Sequence, residues 1–296
     1  MASAVVTRDA AAGGVAVRRT RRGRYALRGL ALLYVGVLVV VPLVVIVGKV
    51  AGAGWTQLTD ALGSPSAVTA YRLTIEVSLI AIVLNTAFGV GFGLLLTRYR
   101  IPGRRLLSAA ADLPIAVSPV VAGLALVLVY GPIDGWFGAG LAGAGIRVIY
   151  SLPGMVLATT FVSFPLVLRE VVPVLDEAGT DMEQASRVLG ANSWQQFVRI
   201  TLPTIRPALT YGVVLSLARS LGEFGAVRVV SGGISGAGQT QTVTLLIDDK
   251  YQQLEGGTYQ LALLLVAVTV AAIVVASLRR PSPGRPLPRR NDREER

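Results

Sequence analysis

Five stretches of this sequence run for 20 residues or more without a charge. They are Gly29–Gly48 (20 residues), Val77–Thr97 (21), Leu113–Ile133 (21), Val148–Leu168 (21) and Gly256–Leu278 (23). About 20 apolar residues at roughly 1.5 Å each cross the hydrocarbon core of a bilayer. A sixth stretch, Pro207–Val230, is as apolar but carries Arg219, Glu223 and Arg228. Within lipid a helix satisfies its own backbone, so the expected fold is all-α, an integral membrane protein of six transmembrane helices. The first run precedes a small-residue AGAG at Ala51–Gly54, as a cleavable signal would. Its apolar core exceeds the roughly 7–15 residues of a signal peptide, so it is read as a retained helix.

Charge is concentrated outside these runs. Only 15% of the 296 residues are charged, 53% are hydrophobic, and mean hydropathy is +0.62. Soluble domains carry about 25% charged residues. The net charge of +11 sits in the tails and short loops. Basic residues flank apolar runs and do not interleave with aromatics, which argues for a lipid surface and against nucleic acid. One side collects the N-terminal tail, Arg98–Arg105, Arg169, Arg187, Arg199, Arg206 and the C-terminal tail; the other has only Lys49, Arg72, Arg147, Arg228 and Lys250. By the excess of Lys and Arg on cytoplasmic loops, both termini are cytoplasmic. Three regions follow: a basic disordered tail (1–28), a six-span domain (29–280) and a charged Pro/Arg-rich tail (281–296).

The absence of Cys and His removes thiol nucleophiles, disulfides, Cys/His metal sites and imidazole acid–base chemistry. No G-x4-G-K-[ST] loop occurs, so this chain binds no nucleotide in that way. No catalytic residue, metal or cofactor is expected on it. Work against a gradient must be driven by a partner or by an ion.

Between the fourth and fifth runs lies a polar, amphipathic segment, Thr180–Pro203, placed on the cytoplasmic side by the charge argument. Its sequence, TDMEQASRVLGANSWQQFVRITLP, reads as two short helices. Thr180 with Glu183, and Ser193 with Gln196, fit capping boxes. Gly190 falls where a left-handed residue would end the first helix. Met182, Ala185, Val188 and Leu189 share one face; Trp194, Phe197, Val198 and Leu202 share another; Pro203 stops the segment. Such a protruding double turn suits docking.

Charges inside a span cost a few kcal/mol and are functional candidates by default. Arg219 and Glu223 are four apart on one helical face and able to pair. They serve either assembly or an anion path, in which Arg219 attracts and Glu223 limits retention. Pro114 and Pro119 interrupt the start of the third span, as packing kinks or as parts of a gate.

Two motifs carry a family resemblance. Gly190, nine residues, Ile200, Thr201, Leu202, Pro203 resembles the G-x9-I-x-L-P half of the "EAA" loop of ABC-importer permeases. The Glu-Ala-Ala positions are Gln184, Ala185 and Ser186 here, with the carboxylate one residue earlier at Glu183. Arg219-Ser-Leu-Gly-Glu223-Phe224-Gly-Ala resembles the R-x-x-GEFGA segment of oxyanion permeases. GEFGAVRVVSG, GQTQTVTLLIDDKYQQ and DLPIAVSPVVAG look most like the W-type subunit of ABC-type sulfate/thiosulfate importers. The similarity spans roughly Leu73 to Leu278.

The resemblance implies a type I ABC-importer permease bundle in the bacterial cytoplasmic (inner) membrane. It implies a T-type permease partner, two ATP-binding subunits holding ATP and Mg, and an extracytoplasmic sulfate-binding protein that delivers sulfate or thiosulfate. Glu183, Gln184, Ala185, Ser186, Leu189, Gly190, Phe197, Ile200, Leu202 and Pro203 would couple to the ATPase. Arg219, Glu223, Phe224, Pro114 and Pro119 would border the path or gate. The alternatives are a permease for molybdate or another oxyanion, and an ion-coupled secondary anion transporter. The secondary transporter lacks support from any internal repeat between residues 25–150 and 151–280.

Overall fold

The computed structural model describes residues 21–233 and 240–278. Every regular element among these residues is helical. Residues up to Lys49 form one unit and those from Val50 onward a second. The first holds α1 (Arg21–Val35), a π turn (Gly36–Val40) and most of α2 (Val41–Ala53). Arg28–Ala53 is long and apolar enough to span a bilayer. Among the described residues this helix runs from Arg21, inside the segment 1–28 expected to be a disordered tail. The rest of that tail, and the tail expected at 281–296, lie outside the described residues.

After the end of α2, the second unit continues with α3 (Trp55–Gly63) and α4 (Pro65–Arg98), the latter 34 residues long. Ser64 accepts from the Ala67 N–H and Pro65 occupies the first turn, so α4 starts on a capped, preset backbone. It is followed by α5 (Arg104–Ala116), α6 (Pro119–Tyr130), α7 (Gly138–Gly143), α8 (Leu152–Ala178), α9 (Asp181–Val188) and α10 (Ser193–Gln196). A second π turn (Phe197–Thr201) leads into α11 (Leu202–Leu221); α12 (Gly225–Ser231), α13 (Val243–Gln252) and α14 (Thr258–Leu278) complete the order. Among the described residues, five helices are long and apolar enough to cross a membrane, or six if the bent pair α5–α6 counts as one crossing.

The core of the second unit is the packing of α8 against α4 and α11. At one level Val77, Met155, Ala158, Val162, Ala226, Val230 and Leu245 are buried together; at another Val90, Val167, Val171, Leu175 and Ile205 are. Between α4, α8 and α11 lies a small polar cluster. Asn85 Nδ2 donates to Ser163 Oγ (2.8 Å) and Ser216 Oγ (3.3 Å), and Ser163 lies 3.4 Å from Ser220. Hydrogen bonds of this kind join spans where lipid offers no competing partner.

Two expected spans are broken. The run Leu113–Ile133 is two helices, α5 and α6, bent by 110° at Val117–Ser118. Pro119 lacks an N–H and excludes the residue before it from helical geometry, and Ser118 is accordingly extended (φ −58°, ψ 134°). Pro114 is tolerated inside α5. The run Pro207–Val230 likewise divides: α11 starts earlier, at Leu202, and ends at Leu221, and Gly222–Phe224 separate it from α12. The two short helices that follow the breaks, α6 and α12, pack on each other. A Cβ on Gly123 would sit 2.7 Å from the Ala226 carbonyl oxygen, so only glycine permits this approach. Of the remaining crossings, the one expected at Val77–Thr97 starts earlier, at Pro65, the one expected at Val148–Leu168 runs over Leu152–Ala178, and Thr258–Leu278 falls within the expected last run.

Candidate functional site

The segment Thr180–Pro203 forms an exposed elbow. α9 ends at Val188, with Leu189 as its C-cap, and Gly190 turns the chain at φ +85°, as its place in the sequence predicts. The capping boxes differ from expectation. Thr180 is the N-cap of α9 but its side chain caps no backbone N–H; it accepts from Gln184 Nε2 (2.8 Å). The second box is one residue earlier than read: Asn192 Oδ1 accepts from the Gln195 N–H (2.8 Å), and Gln195 Oε1 accepts from the Asn192 N–H (3.0 Å). Nor does Pro203 stop the second helix. Placed in the first turn of α11, it lacks an N–H where none is required, and the chain runs from α10 through the π turn into α11.

Apolar residues divide between the surface and the core. Met182, Val188, Leu189 and Trp194 are exposed, Val188 and Leu189 at 88% and 87%. Ala185 and Gln184 are exposed beside them. Phe197 and Leu202 instead pack against Val171, Leu175 and Ile205, so they anchor the elbow and do not share its outer face. Ile200 is half-buried and Pro203 exposed. Ser186 Oγ donates to the Glu183 carbonyl (2.8 Å), tightening α9.

Glu183 turns inward. Its carboxylate accepts from Arg98 Nε (2.9 Å) at the end of α4 and from Thr201 Oγ1 (3.0 Å) in the π turn. Arg98 Nη1 also donates to the Leu175 carbonyl of α8 (3.0 Å). Nearby, Arg187 Nε donates to Gln196 Oε1 (3.0 Å). A cavity of about 380 Å³ opens beside these groups, bordered by Arg98, Glu183, Arg187, Gln196 and Thr201.

The second candidate site lies at the break after α11. Glu223 is 3% exposed. Its Oε2 is 3.0 Å from Arg219 Nη1, Oε1 accepts from the Ala226 N–H (3.0 Å), and its carbonyl accepts from Thr244 Oγ1 (2.8 Å). The pair expected from the four-residue spacing is therefore present, although Glu223 has left the helix. The carboxylate holds the start of α12 and the Glu223 backbone carbonyl ties to α13, while the Arg219 side chain stays 39% exposed. Pro119 abuts Gly225, which brings the two breaks together. Phe224 lines a groove with Thr244, Ile247 and Tyr251. Pro114 is buried within α5. Chemically, the break presents a half-neutralised guanidinium on a rigid turn, suited to transient attraction of an anion and poorly suited to tight retention.

Residues 89–281 match the family of binding-protein-dependent transport system inner membrane components. The chain belongs to that family. This permease subunit is 44% identical over 261 residues to the sulfate transport system permease protein CysW of Synechococcus elongatus, covering 88% of this chain and 90% of that one. It is 40% identical over 262 residues to the protein of the same name from Escherichia coli K12, covering 86% and 87%. Its fold is similar to a chain in the crystal structure of a bacterial alginate ABC transporter in complex with an alginate pentasaccharide-bound periplasmic protein. The TM-score is 0.67 at 17% identity, over 86% of this chain and 91% of that one. The permease is thus a multi-pass component of an inner membrane ABC transporter, as the sequence motifs implied.

Three groups of the permease escaped the reading from sequence. Arg98 stood among Arg100, Arg104 and Arg105 as a basic flank, and nothing local marks it as the partner of a residue 85 positions away. Thr201 is the variable position inside I-x-L-P. Asn85 is one polar residue in an apolar run, a signal that an intramembrane polar side chain warrants a search for partners.

Proposed function

We propose that this permease forms half of the membrane path of an ATP-driven importer for sulfate or thiosulfate, with both termini and the elbow at 180–203 in the cytoplasm. The elbow docks on an ATP-binding subunit, and two such subunits hold ATP and Mg. A T-type permease supplies the other half of the path, and an extracytoplasmic binding protein delivers the anion. Closure of the ATPases on ATP draws the elbows together and opens the path outward; hydrolysis resets it, an alternating-access motion of rigid halves. The breaks at Val117–Ser118 and Gly222–Phe224, with Arg219, Glu223, Phe224, Pro114 and Pro119, border the path. Sulfate is the substrate named in the relatives' descriptions, and Arg219 is the guanidinium that would meet it.

The observation that carries this reading is the apolar outer face of the elbow, Met182, Val188, Leu189 and Trp194, fixed by a capped turn and left uncovered. Large apolar side chains clustered on a polar protrusion mark a protein contact. Replacing Leu189 and Trp194 by Asp should abolish co-purification of the ATPase and ATP-dependent uptake of radioactive sulfate, while the chain still inserts. Unchanged association would remove the elbow as the docking site. Competition of that uptake by thiosulfate but not by molybdate is the expected selectivity; the reverse order would assign a molybdate importer.

A further inference from the structure

The Arg98–Glu183–Thr201 contact differs from the other ion pairs at the same end of the bundle. Arg104–Asp176 (3.2 Å) and Arg169–Asp112 (2.8 Å) have side chains about half exposed, 49% with 48% and 52% with 43%. Exposed pairs of that kind hold little. Arg98 and Glu183 are 13% and 9% exposed. A carboxylate in the first turn of α9 would ordinarily stay beside the free N–H groups of its own helix. Here both oxygens are used by other elements: Oε2 by Arg98 of α4, Oε1 by Thr201 ahead of α11. Through Arg98 Nη1 the contact extends to the Leu175 carbonyl of α8. One residue of the elbow is therefore bonded directly to α4 and to the π turn that leads into α11, and through Arg98 it is linked to α8. Charge-assisted hydrogen bonds shielded from water resist stretching more than solvated ones.

We infer that Glu183 is the joint through which movement of the docked elbow reaches α4, α8 and α11, a positioning residue for transport and not a contact for the ATPase. The inference rests on the elbow being the docking element. Its outer apolar face and its inner carboxylate then have separate tasks: the first binds the partner, the second passes on its displacement. The cavity of about 380 Å³ beside the joint gives the pair room to shift as α9 moves.

The test uses the complete transporter in proteoliposomes with its binding protein, reading sulfate transported per ATP hydrolysed and the amount of ATPase retained on purification. Glu183→Gln and Thr201→Val should keep ATPase retention near wild type and lower transport per ATP by about tenfold, within the range seen for residues that couple distant sites. Thr201→Ser keeps the hydroxyl and should restore the wild-type ratio, which a general packing role for the threonine methyl would not do. An unchanged ratio in Thr201→Val, with the ATPase docked, would overturn the joint. Should Glu183→Gln fail to assemble, Thr201→Val decides, since it leaves Arg98–Glu183 in place. Failure of the wild-type chain to retain its ATPase would instead remove the docking reading, and the joint with it.

Discussion

At the scale of single residues, Gly190 and the Arg219–Glu223 pair carry the sharpest consequences. No atom lies within 4 Å of where a Gly190 Cβ would sit, so any penalty there comes from the φ of +85° alone. A β-branched residue in that region costs about 1–2 kcal/mol, and Asn tolerates it better. Gly190→Val should therefore weaken ATPase retention, and Gly190→Asn should retain most of it, in parallel co-purifications. The ion pair separates along different lines. Arg219→Ala leaves a buried carboxylate uncompensated and should lower the yield of assembled protein. The double variant Arg219→Gln/Glu223→Gln keeps an acceptor for the Ala226 N–H and removes both charges. It should assemble near normally while sulfate uptake falls by about tenfold, as loss of local electrostatic attraction requires. Equal uptake in the double variant would restrict the pair to folding.

At the scale of helices, the junction of α6 and α12 governs where the two broken spans lie. Gly123→Ala places a methyl against the Ala226 backbone, which cannot move aside as a flexible side chain could. A loss of about 1–3 kcal/mol, typical of overpacking, should appear as a lowered melting temperature in detergent. This junction also marks the limit of what local sequence could tell. Length and lack of charge sufficed for the crossings, because bilayer thickness translates directly into residue count. One break lies in a run without a charge and the other at Glu223 in a run otherwise read as a continuous span. Pro119 signalled the first, but the packing of α6 on α12 that accompanies its 110° turn lies outside any local window. Spacing located Arg219 and Glu223 together because Glu223 remains within the last turn, its N–H bonded to the Ser220 carbonyl, even though the helix has ended. In the elbow, Gly190 was legible since its conformation is a local requirement. Pro203 misled, because proline ends a helix from within yet fits its first turn equally well. The partner of Glu183 was beyond reach of any window, being a side chain at the end of α4, 85 positions away.

At the scale of the whole molecule, the proposed orientation rests on the charge distribution, and the chain is suited to a direct test because it contains no cysteine. Val188 and Ile133 are 88% and 86% exposed, so a cysteine at either would be open to reagent in the permease expressed without its ATPase. Val188→Cys should react with a membrane-impermeant maleimide only from the cytoplasmic face, and Ile133→Cys only from the opposite face. The reversed pattern would invert the topology. The π turn at Phe197–Thr201 has its own long-range effect. A π turn amounts to one residue added to a regular helix, and each residue of an α-helix advances the azimuth by about 100°. The compass bearing of the apolar elbow about the axis of α11 is thus set by a single residue count, so a one-residue deletion there would swing the face through more than a quarter circle without altering one side chain on it.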